Sequence, residues 1–280
     1  VGAVVCLVAG LSSYGVPLRG NATPARSVPE GGAVIAGVYT NEYFGLTYPL
    51  MRGWSAGMAG PPPSQAGEYV LINLIPDGEI TATIMITAQD MFFAEKPLDA
   101  AATAKDFRRT VSEIVGMAID CEPEEIGIAG RTFYRVEFSG VGLYRAMLVT
   151  EDHCHLVQFH LTAREPGILA GLLLSLDNLS FDVKSSGSTP PPVCTKDYAI
   201  ADTVLRKVAP LPVEPAFTPI PVRIVISDDG SVEQVHVIRA TADQRTVIEN
   251  ALYQWKFKPY VMDGRSVEVE TGLLFQFTAR

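Results

Sequence analysis

The chain has 280 residues, with 22 Lys or Arg against 31 Asp or Glu, a formal net charge of -9. That balance excludes a general nucleic-acid binder, which needs a concentrated basic surface for phosphate contacts. With 48% hydrophobic and 19% charged residues this is a folded protein with room for two ordinary domains, and no apolar run approaches the roughly 20 residues of a spanning helix.

Residues 1–10 (VGAVVCLVAG) are uncharged and apolar, and Gly20-Asn21-Ala22 puts small residues where a signal peptidase reads. Residues 1–22 are therefore expected to be a secretory signal, through which membrane attachment is also open. The protein is then exported, periplasmic or in the cell envelope. The alternatives are a buried N-terminal strand, or a lipid anchor at Cys6, which bulky Val5 disfavours. Three further cysteines, Cys121, Cys154 and Cys194, allow at most one internal bridge. Cys121 and Cys154 share a domain and are the preferred pair; three unpaired thiols are the other reading.

Along the chain, residues 43–48 are aromatic and β-prone, and residues 69–75 and 81–88 flank the turn Pro76-Asp77-Gly78. The period then changes. Over residues 99–117, Ala104, Phe107, Val111, Ile114 and Val115 fall on one helical face. Residues 127–129, 132–138, 143–149 and 156–161 read as consecutive antiparallel strands. Residues 168–176 form a last helix burying Ile168, Leu169, Leu172, Leu173 and Leu176. The predicted fold class is α+β, an antiparallel sheet carrying helices. Residues 184–193 (KSSGSTPPPV) read as a linker. The acidity lies before it: residues 1–193 hold 12 basic and 20 acidic side chains, residues 194–280 hold 10 and 11.

The text Asn41-Glu42-Tyr43-Phe44-Gly45-Leu46-Thr47-Tyr48-Pro49, followed by Gly53-Trp54, resembles the opening of the PsbP-like family. The resemblance covers about residues 37–183 and implies an α/β/α sandwich associated with the cell envelope. It implies no catalytic site.

In residues 194–280, two β-prone runs at 221–227 and 232–239 surround Asp228-Asp229-Gly230, a strong hairpin signal. Thr241-Ala242-Asp243-Gln244 matches a capping box. The helix it opens carries Val247, Ile248, Ala251, Leu252 and Trp255 on one stripe, and residues 267–277 alternate as a final strand. This ββαβ order, with Asp229-Gly230-Ser231-Val232, Trp255-Lys256-Phe257-Lys258-Pro259 and Gly264 to Val267, resembles the TonB C-terminal domain. The residues leading into the first strand, Thr218-Pro219-Ile220-Pro221, depart from the family pattern. The resemblance implies capture of a partner peptide by strand addition.

No motif for enzymatic chemistry stands out. His153-Cys154-His155 with His160 is the densest group of ligand-type side chains, but alternation gives only two histidines on one face, short of a zinc set. Glu122-Pro123-Glu124-Glu125 reads as a solvated loop. A nucleotide loop and a nucleophile elbow are absent. The expectation is a non-enzymatic binding protein without cofactor or metal, its partner an envelope protein or receptor peptide. The accepting edge is the last strand: Val267, Val269, Leu273, Phe275 and Phe277 face the helix, and Glu268, Glu270, Leu274 and Gln276 are the partner-binding residues. A small-ligand pocket in the PsbP-like domain is the alternative.

Overall fold

Alternating apolar residues build the first unit as stacked layers, seen in a computed structural model that describes residues 27–94, 98–181, 192–211 and 219–277. The expected signal segment and residues 184–191 of the expected linker lie outside these. In chain order come β1 (Ala33–Ile35), β2 (Val38–Asn41), β3 (Leu46–Pro49), β4 (Trp54–Ala56), β5 (Glu68–Pro76) and β6 (Ala82–Asp90). Then follow α1 (Ala100–Ser112), β7 (Met117–Ile128), β8 (Arg131–Gly140), β9 (Leu143–Asp152), β10 (His155–Ala163), α2 (Pro166–Ser175) and β11 (Ser180–Phe181).

A seven-stranded antiparallel sheet runs β4-β5-β6-β10-β9-β8-β7, and a small sheet runs β1-β2-β3-β11. On β9, Ala146 and Leu148 join the main core with Tyr39, Leu46, Leu169 and Leu172, whereas Met147 and Val149 join Ala100 and Ala104 of α1. The strand is thus buried on both faces, which is why its centre reads as an unbroken apolar run. Asp99 caps α1 by accepting from the Ala102 N–H.

Two expectations need correction here. Helix α1 ends at Ser112 with Glu113 as its cap, so Ile114 and Val115 leave the predicted stripe and are exposed. Residues 122–125 are not a loop but part of β7. Register shifts around Pro123 let the strand bulge where its missing N–H would break the ladder. The acidic side chains are paired across neighbouring elements, Glu122 with Arg108 and Glu124 with Arg135, and Glu125 accepts from the Tyr134 hydroxyl.

The second unit contains β12 (Val193–Cys194), β13 (Val204–Arg206), β14 (Ile220–Ile226), β15 (Val232–Val237), α3 (Ala242–Leu252), β16 (Lys256–Phe257), β17 (Tyr260–Met262), β18 (Arg265–Val267) and β19 (Val269–Phe275). The β14–β15 hairpin turns through Gly230, whose φ of +86° and 2.1 Å approach of an added Cβ to the Phe257 carbonyl leave no alternative to glycine. Thr241 and Gln244 form the capping box of α3. Ile248, Leu252 and Trp255 pack on Val222, Ile224, Val269 and Phe275. Among the described residues the chain is strand-rich, with a few helices on several mainly antiparallel sheets, which agrees with an α+β class.

The sheet order β12-β19-β14-β15 carries the main departure from the sequence reading. Strand β19 is internal over its first residues because β12 pairs with it in parallel, Val193 with Val269 and Cys194 with Glu270. All seven residues of β14 are buried, since α3 covers one face and the first unit covers the other.

Candidate functional site

The face of β14 turned away from α3 carries Arg223, only 2% exposed. Its guanidinium reaches residues from four parts of the chain. Nη1 donates to Asp90 Oδ2 at 2.5 Å and to His155 Nε2 at 3.2 Å. Nε and Nη2 donate to Glu270 Oε1 at 3.2 and 2.7 Å, and Nη2 donates to the Tyr43 hydroxyl at 3.0 Å. Phe92 lies under the guanidinium, 4.8 Å from carbon to ring centroid.

Local sequence explains how these groups converge. Asp90 ends β6 and is paired in register with His155, the first residue of β10. The tight turn before it has His153 and Cys154 at φ of 44° and 59°, positions that a two-residue hairpin normally gives to Asn-Gly. His155 donates from Nδ1 to the His153 carbonyl at 2.6 Å, so Nε2 is left to accept from Arg223. Gly272 supplies the close approach of β19: an added Cβ would lie 2.6 Å from Phe92 Cβ.

Burial raises the Asp90 carboxyl above its usual range against the opposing pull of Arg223, and the neighbouring Glu270 carboxylate adds a smaller push in the same direction. Burial, reinforced by Arg223, holds the His155 imidazole well below its ordinary 6.5. The unfolded chain gains a proton at this residue near that value and the folded chain does not. His155 therefore contributes stability that is complete above pH 6.5 and is lost as pH falls below it. Wild type should lose up to about 1.4 kcal/mol per pH unit relative to His155→Gln below that point. Urea titrations of both proteins from pH 7.5 to 5 read the difference, and parallel curves would contradict it.

Asp90 and His155 are fully buried, so this cluster works as a joint and not as a surface that meets a substrate. Further contacts extend it. His236 pairs with Glu30 at 3.0 Å, and Lys196 Nζ donates to the Ala94 carbonyl at 2.7 Å. A disulfide joins Cys154 to Cys194 with Cα atoms 5.7 Å apart. That bond corrects the expected Cys121–Cys154 pair: β8 and β9 stand between β7 and β10, separations of about 4.8 Å each. Cys121 is a free thiol. Two independently released units are not what this joint allows. Protease cleavage within residues 184–191 should leave the halves together in native gels and covalently joined in non-reducing denaturing gels; separation without reductant would contradict the bridge.

The remaining sequence candidates are placed as follows. His160 faces Thr87 at 3.4 Å and does not converge with His153 and His155; among the described residues no cluster of three or more ligands suits a metal. Glu270 is buried in the joint instead of tuning a solvent face. The Glu268 carbonyl accepts from Val193 N–H at 2.9 Å, and that of Glu270 accepts from Thr195 N–H at 3.0 Å. Leu274 is 61% exposed and Gln276 is exposed. Because backbone groups alternate along a strand, those of Gly272 and Leu274 point the same way as the Glu270 carbonyl, away from β14. Among the described residues no strand pairs with that side after Glu270. The first unit also has a cavity of about 400 Å³ between residues 57–63 and β5.

Comparison with known proteins then gives little. No protein-family model matches the chain, and no curated protein does. One similar solved structure is that of cyanobacterial PsbP (CyanoP) from Synechocystis sp. PCC 6803. The identity is 17% and the TM-score 0.40, over 54% of this chain and 96% of that one. The TonB reading rests on sequence motifs and element order alone.

Proposed function

We propose that this chain is a non-catalytic protein of the cell envelope whose second unit, TonB-like in element order, captures an extended segment of another envelope protein along β19. The first unit, read as PsbP-like, is its rigid mount. The observation that carries the proposal is the outward-facing backbone of Gly272 and Leu274 beside exposed Leu274, a row of donors and acceptors of the kind that templates an added strand. The disulfide supports an oxidising compartment. The cavity beside β5 is the weaker site, since its only charged lining residue, Glu30, is already paired with His236.

Transducer function is not part of the reading, because the nine residues 185–193 span only about 30 Å as polyproline helix. Restored iron-complex uptake in a cell lacking its own transducer would contradict that limit. For capture itself, a photo-crosslinking amino acid at Gln276 is expected to trap an envelope protein in cells, whereas one at exposed Val141 on the far hairpin is not. The same products from both positions, or none from Gln276, would overturn the proposal.

A further inference from the structure

Strand β12 is two residues long, yet it occupies the outer edge of β19 next to the stretch proposed to accept a partner. The bonds from Val193 N–H to the Glu268 carbonyl and from Thr195 N–H to the Glu270 carbonyl hold it in parallel register. The chain just after it is held separately, Lys196 Nζ donating to the Ala94 carbonyl and Tyr198 N–H to Thr271 Oγ1, but for the two-residue strand itself so few backbone bonds, each of modest net worth in water, do not offset the entropy of ordering it. The covalent hold is the bond from Cys194 to Cys154, whose own turn is fixed in the joint.

We propose that the Cys154–Cys194 disulfide is a redox latch on the strand-accepting edge. This rests on the strand-capture reading above. In the oxidised protein β12 covers the edge at residues 268–271 and leaves only residues 272–275 open. In the reduced protein β12 departs and the edge runs unbroken from Glu268 to Phe275. An extended partner segment then adds parallel to β19 in the register that β12 vacates.

The two sulfurs are placed unequally. Cys194 is exposed, whereas Cys154 is 5% exposed, so a reducing thiolate meets Cys194 Sγ first. A dithiol donor supplies the two electrons. Its first thiolate forms a mixed disulfide with Cys194 as the bond to Cys154 breaks, and Cys154 leaves as a thiolate that takes up a proton. The donor's second thiolate then closes the donor's own disulfide and releases Cys194, which is protonated in turn.

Glu270 Oε2 lies 3.6 Å from Cys154 Sγ. In the disulfide that sulfur has no proton to donate, but the released thiol does. Glu270 keeps its bonds to Arg223 throughout. Reduction therefore frees β12 while β19 and β14 stay anchored to the first unit.

The test uses the full chain. Backbone hydrogen exchange is compared with and without dithiothreitol, and in Cys154→Ser/Cys194→Ser. The amides of Val193 and Thr195 are expected to exchange at least ten-fold faster once the bond is gone and to lose nearly all protection, while that of Ile224 in buried β14, quickened only by the lower global stability, stays strongly protected. Unchanged exchange at Val193 and Thr195, or loss of nearly all protection at Ile224 as well, overturns the latch whatever the partner. Capture at Gln276 by the crosslinker is then compared for the two redox states. At least ten-fold more product from the unlatched protein is expected. Equal capture in both states overturns the latch alone, whereas no capture in either state overturns the strand-capture reading.

Discussion

Arg223→Ala is expected to destabilise the folded chain by about 3–5 kcal/mol, because it leaves two buried carboxylates without their cation. Asp90 and Glu270 both donate nothing and accept from this one guanidinium, and Tyr43 and His155 each lose a donor. Lysine is not a substitute: a point charge does not reach Asp90 and Glu270 together through a planar fork. The loss is one of unpaired charge, not of packing. Replacing all three charges at once, with Arg223→Met, Asp90→Leu and Glu270→Leu, should recover most of it. Chemical denaturation of the single and triple variants checks this, and a single variant within about 1 kcal/mol of wild type would show that the cluster does not hold the units together.

Removing the Cys154–Cys194 bond is the second large effect. It closes a loop with a sequence separation of 40, for which chain entropy gives about 4 kcal/mol, an upper figure because disulfides often deliver less. Cys194→Ser should therefore lower unfolding free energy by about 2–4 kcal/mol while leaving the chain folded, since ordinary domains hold about 5–15 kcal/mol. Denaturant midpoints under oxidising conditions read it directly. Wild type treated with reductant should move to the midpoint of the variant; if reductant leaves wild type unmoved, the bond is not the constraint described here.

Local features were legible in the sequence because they depend on short spacings. The Asp229-Gly230 hairpin, the Thr241 capping box and the alternation that sends Val269, Leu273 and Phe275 toward α3 are all present. Long-range pairing was not legible. Nothing near Cys154 says that its partner comes from the segment before β19, and nothing near β12 says that it will add a strand in parallel. Residues 122–125 misled because Pro and three acids look like a loop, while bulges let an edge strand absorb the Pro.

The joint left traces that a period count does not weigh. Arg223 interrupts an otherwise apolar β14, Gly272 breaks the large side chains of β19, and Asp90 closes the apolar alternation of β6. Each is an odd residue in an ordinary strand. Only their tertiary meeting gives them a common meaning, a charged lock whose members lie as far apart in sequence as Tyr43 and Glu270.

The most direct measurement of strand capture separates backbone from side chain at Leu274. Its N–H points away from β14, and Pro221, its neighbour across the ladder, already lacks an N–H, so proline at 274 removes no bond within the sheet. With the photo-crosslinker held at Gln276, Leu274→Ser is expected to keep capture within about two-fold, and Leu274→Pro to reduce it at least ten-fold while the denaturant midpoint stays near that of wild type. Equal capture by the serine and proline variants would contradict addition of a partner strand to this edge.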